Sequence, residues 1–69
     1  NVSNLNILVS VIHKECAIAD GLATGLIAMN PKKIINFSNS NGIASMLTVM
    51  KNGKLEKRYS TEFSKYLSD

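Results

Sequence analysis

The 69-residue chain contains one cysteine, Cys16, so no internal disulfide can brace it. A lone thiol leaves the redox compartment open. Histidine is equally scarce, with His13 alone, so a four-ligand zinc site of His and Cys is excluded. Tryptophan is absent, and the aromatics are two tyrosines and two phenylalanines. Acidic residues number five against eight Lys and Arg, a formal net charge of +3. That excess is mild and falls late, at Lys51, Lys54, Lys57, Arg58 and Lys65. A nucleic-acid binder shows a denser basic face with aromatics or a known motif, so no nucleic-acid partner is expected. No run approaches the ~20 apolar residues that a membrane span needs. The opening residues, NVSNLNILVSV, lack the basic segment and small-residue cleavage site of a signal peptide. A chain this short buries only ~60% of its unfolded surface. With no disulfide, its core calls for a metal or a partner.

The patterns that are present predict an α+β domain. NILVSVIH, residues 6–13, is short, β-branched and apolar at both parities, which predicts a strand covered on both faces. Residues 15–29 switch to a helical period, with Ile18, Leu22, Leu26 and Met29 on one core-facing stripe. Asn30 and Pro31 are a cap and first residue for a second, short helix carrying Ile34, Ile35 and Phe37. The polar run Ser38 to Gly42 stops it, with Gly42 suited to a left-handed conformation. IASMLTVM, residues 43–50, predicts a second strand. Asn52-Gly53 then predicts a tight hairpin, because both turn positions need positive φ. In the returning strand Leu55, Lys57 and Tyr59 share one face, and Glu56, Arg58 and Ser60 the other. Phe63, Tyr66 and Leu67 predict a closing helical turn. The order is strand, helix, helix, strand, strand, helix, with an antiparallel hairpin, in a single unit over residues 1–69.

One stretch stands apart. In CAIADGLATG, residues 16–25, a carboxylate sits inside an apolar helix. Asp20 and Thr24 are i and i+4 neighbours, with Cβ atoms ~5–6 Å apart. Two oxygens so placed suit a hard cation such as Mg²⁺, which keeps water or phosphate for the rest of its shell. Gly21 and Gly25 each cost a helix ~1 kcal/mol against alanine, which points to a packing or access reason. The simpler reading makes Asp20 a solvent-facing residue and Thr24 a coincidence, since Asp-x-x-x-Thr by itself is a weak pattern. His13 and Cys16 invite a nucleophile–base reading. A strand-end histidine and a small buried thiol account for them more simply. Met29, Met46 and Met50 read as core filler, and Lys32-Lys33 as a solvated pair.

The ordered series of these features resembles the C-terminal region of the ApbE family, the flavin transferases (FAD:protein FMN transferases). Members carry a strand of the type S-V-T-V, a helix reading A-D-A-L-A-T-A, and then a stretch like M-G-P-E-K-A. The matching places here hold Ser10-Val11-Ile12, Ala19-Asp20-Gly21-Leu22-Ala23-Thr24-Gly25 and Met29-Asn30-Pro31-Lys32-Lys33. The hairpin and ending KNGKLEKRYSTEFSKYL resemble the family's last segment, so the likeness runs from about Asn6 onward. The resemblance implies a T-fold-like domain and transfer of FMN from FAD to a threonine or serine of a target flavoprotein, with release of AMP. Some members instead hydrolyse FAD to FMN and AMP. It implies Mg²⁺ as cofactor, with Asp20 and Thr24 as metal ligands. Glycine replaces the usual alanine at Gly21 and Gly25. The family's H-x-x-D-P-x-T/S-G motif, with its catalytic histidine, precedes the S-V-T-V strand. His13 follows that strand and is not its counterpart. The resemblance therefore implies a C-terminal piece, inactive alone, whose partners are FAD, the acceptor flavoprotein and the upstream part of the enzyme or a second chain. Family members are commonly exported and membrane-anchored in bacteria. The rival expectation is a small non-catalytic module that binds proteins by strand addition.

Overall fold

A computed structural model describes residues 6–67. Strand β1 (Asn6–Ile12) leads into helix α1 (Cys16–Ile27) and helix α2 (Pro31–Ser40). Strands β2 (Ala44–Lys51) and β3 (Lys54–Tyr59) form a hairpin, and helix α3 (Thr61–Leu67) closes the described chain. The sheet order is β1-β2-β3, antiparallel throughout, so β2 is central and β1 and β3 are edges. This is the expected α+β order, with the last turn grown into a seven-residue helix. Among the described residues no helix is long and apolar enough to cross a membrane.

Local chemistry sets the joints. The Asn30 side chain accepts a hydrogen bond from the Lys32 amide at 3.0 Å, capping α2 with Pro31 in its first turn. At the other end Gly42 takes φ of 65°, and the Ile43 amide donates back to the Ser38 carbonyl at 2.9 Å. That pattern is a Schellman closure, which glycine admits without steric cost. Asn52 and Gly53 take φ of 54° and 77°, the left-handed pair that the two-residue hairpin requires.

Register divides the sheet into two faces. Val9 lies opposite Leu47 and Leu47 opposite Arg58, so Ile7, Val9, Val11, Ser45, Leu47, Val49, Glu56 and Arg58 share one face. Helices α1 and α2 cover this face, α1 over β1 and α2 over β2. The main core cluster is Leu26, Ile34 and Leu47, with Ile7, Val9, Val11, Met29, Ile35, Ile43 and Val49 packed around it, and Ala44 and Phe63 are buried besides.

Four expectations need correction. β1 is covered on one face only. Leu8, at the opposite parity, is 60% exposed, because α1 and α2 pack on the other side of the sheet and α3 contacts β2 and β3. Ile18 is exposed; α1 seats on Leu26, with Leu22 and Met29 half-buried, so the core-facing stripe runs through the C-terminal half of the helix. The helix is also shorter than its apolar period, ending at Ile27 and not Met29. Met29 belongs to the core as expected and Met46 is half-buried, but Met50 is exposed on the open face with Leu55.

Candidate functional site

Asp20 and Thr24 lie one turn apart on α1, and both are exposed. The Thr24 hydroxyl donates to the Asp20 backbone carbonyl at 2.9 Å. A threonine in a helix commonly settles this way. Its proton is thereby committed to the backbone, while the oxygen's lone pairs remain free. The Asp20 carboxylate and the Thr24 oxygen therefore make a two-oxygen donor set on an accessible helix surface. Such a set fits a hard cation in kind, but it supplies two ligands where Mg²⁺ takes six. Among the described residues no group of three or more His, Cys, Asp and Glu is placed to hold a metal.

The glycines beside this pair are open. A Cβ added at Gly21 or Gly25 would meet nothing within 4 Å among the described residues. Of the packing or access reason expected for them, no packing partner is found among the described residues.

His13 and Cys16 do not form a nucleophile–base pair in their observed roles. The imidazole Nδ1 accepts from the Glu15 amide at 3.0 Å and so braces the β1–α1 turn. Cys16 is exposed, which corrects the expectation of a buried thiol. It opens α1 at the rim of a shallow recess that also touches Asp20 and His13. Lys32 and Lys33 are solvated in the first turn of α2, as expected.

Sequence reasoning missed a buried serine network. Ser38, Ser45 and Ser60 are each fully buried. The Ser60 hydroxyl accepts from the Ser45 amide at 2.9 Å and donates to the Ile43 carbonyl at 2.6 Å. It also accepts from the Phe63 amide at 3.3 Å, so the same oxygen caps α3. Ser45 donates to Ser38 across the α2–β2 contact at 2.6 Å. Nearby, the Asn39 side chain accepts from the Thr61 amide at 2.8 Å and ties α2 to the start of α3. A serine before a short helical pattern was the visible signal at Ser60. Its links to β2 are long-range and carry no local pattern.

The fold and site thus define a small α+β unit of two layers that presents a carboxylate–hydroxyl pair on its first helix. Over 67 residues the chain is 31% identical to an FAD:protein FMN transferase of Vibrio cholerae serotype O1. That alignment takes in 97% of this chain and 20% of the transferase, so the chain spans about a fifth of the length of this curated relative. No family model matches the chain, and no solved structure matches it.

Proposed function

We propose that the chain is the C-terminal segment of an FAD:protein FMN transferase and contributes Asp20 and Thr24 to its metal site. The observation that carries this reading is the similarity to the Vibrio cholerae transferase, which extends across 97% of the chain. The exposed carboxylate–hydroxyl pair on α1 supports it, because its donors suit Mg²⁺. In the proposed reaction a serine or threonine hydroxyl of a target flavoprotein attacks the FMN phosphorus of FAD. A new phosphoester P–O bond forms, the P–O bond to AMP breaks, and the hydroxyl proton passes to a base outside this chain. When bound, Mg²⁺ supplies positive charge against the pyrophosphate. Asp20 offsets the charge of that cation and fixes its place. Thr24 keeps its proton on the Asp20 carbonyl and so presents only lone pairs outward. Gly21 and Gly25 keep the helix surface low beside them.

Hydrolysis of FAD, with water replacing the acceptor hydroxyl, uses the same site. Under either chemistry the 69 residues alone are expected to be inactive, since the base that takes the hydroxyl proton is not among them.

The test takes the longest natural polypeptide containing this chain and follows Mg²⁺-dependent release of AMP from FAD. Asp20→Ala is expected to lower the rate at least ~100-fold, the scale of losing a charge-stabilising group at a phosphoryl centre. Broadening of the Asp20 and Thr24 resonances by Mn²⁺ gives a readout independent of turnover. Full activity in Asp20→Ala removes the site assignment.

A further inference from the structure

The helix layer and the sheet are out of step. α1 lies over the edge strand β1 and α2 over β2, leaving the helix-side face of β3 without a helix above it. There a groove of about 550 Å³ opens between α2 and the hairpin, with Leu47 and Val49 in its floor and Lys32, Lys51, Glu56 and Arg58 around it. At the opposite edge α1 stands over β1 with a flank turned away from α2. Cys16, Ala19, Asp20 and Ala23 on that flank line a recess of about 500 Å³ with Val11 and His13. Leu22, on the other side of α1, lines a different recess with Phe37 of α2. One edge thus has an overhanging helix with a single carboxylate. The other has a strand lacking a helix, with three cations and one acid beside it.

The two edges differ in protection as well. β3 carries Lys54, Lys57 and Arg58, the charges that keep edge strands from pairing with themselves. β1, NILVSVI, carries no charge and no proline. Pairing β1 with a second β1 is blocked from above. Adjacent strands lie ~4.8 Å apart, whereas packed helices need 8–10 Å between axes, and Asp20 would meet Asp20. Pairing β1 with β3 of a second copy has neither obstacle on the α1–α2 side, where β3 has no helix above it; α3 meets β3 through Phe63 stacked on Tyr59, whose parity is opposite to that of Arg58.

We propose that this chain associates head to tail, the β1 edge of one copy taking up the β3 edge of the next, with Asp20 of α1 facing Arg58 in the groove. Both helix layers stay on one side only if the two strands run parallel, as β1 and β3 already do within one copy. Register places Arg58 level with Leu47 and Val9, one same-face step from the Val11 that lines the Asp20 recess. A heterologous contact of this kind does not close on itself and gives open chains. This contact and the proposed metal compete for the one Asp20 carboxylate, so association is read as mass with metal withheld, and its failure is distinguishable from failure of the flavin reading.

The test is sedimentation equilibrium of the 69-residue chain across about 10 µM to 1 mM in EDTA-containing buffer, with far-UV circular dichroism to confirm folding. Wild type is expected to show mass rising beyond the dimer with concentration. Asp20→Arg and Arg58→Asp, both exposed positions, are each expected to stay monomeric. An equimolar mixture of the two variants is expected to recover association, since each new charge then meets its opposite. A monomeric wild type overturns the proposal, as expected if this edge takes a strand from elsewhere. So does association that both single variants leave unchanged, or a mixture that stays monomeric.

Discussion

At the scale of single residues, Ser60 holds more of the structure than any acid or base among the described residues. Its hydroxyl joins β2, the β2 entry loop and α3 through three hydrogen bonds. Ser60→Ala leaves the buried Ser45 amide without its partner and uncaps α3. Those losses amount to about 2 kcal/mol, since an orphaned buried group alone costs ~1–3 kcal/mol. Urea unfolding followed by circular dichroism should show the midpoint falling with the slope unchanged. The glycines of α1 behave in the opposite sense. Gly21 and Gly25 sit at helical positions with open space around the missing Cβ. Alanine at either is expected to stabilise the chain by up to ~1 kcal/mol, read from the same unfolding curves. If both alanine variants were destabilised, something outside the described residues would have to occupy that space.

The secondary elements were legible in the sequence wherever a local rule governs them. Asn30-Pro31, Gly42 and Asn52-Gly53 each impose a backbone conformation that the structure adopts. Gly53 at φ of 77° is the sharpest case. Gly53→Ala should cost ~1–2 kcal/mol, because a Cβ in the left-handed region crowds the following carbonyl; thermal denaturation checks this. What stayed hidden was which surfaces the elements bury. Ile18 and Leu8 look like core residues by type and spacing, yet both are exposed. Periodicity gives the angle of a side chain about its own element, but burial depends on what arrives from elsewhere in the fold. The Asp20–Thr24 pair was legible as a neighbouring pair. The turn of the Thr24 hydroxyl onto the Asp20 carbonyl was not, because a backbone acceptor leaves no mark in the side-chain pattern.

At the scale of the molecule, a small core faces a broad exposed apolar surface. Leu26, Ile34 and Leu47 are its centre, while Leu55 on the open sheet face is 61% exposed. Truncating the central strand at Leu47→Ala should cost ~2–5 kcal/mol. That is enough to unfold a chain of this size, visible as loss of cooperative thermal unfolding. The mismatch between helix layer and sheet leaves one edge overhung and the other bare, and the acid of the candidate site lies on the overhanging flank. The residue that looks like an oddity inside CAIADGLATG is thus exposed on the flank of α1 beside β1.

Asp20 is proposed to serve a flavin-transferring site. The most direct test is Mg²⁺-dependent AMP release from FAD by the longest natural polypeptide that contains this chain, measured beside its Asp20→Ala variant. AMP release by the wild type and a loss of at least ~100-fold in the variant are the expected results. Equal rates in the two proteins, or no AMP from the wild type, would contradict it.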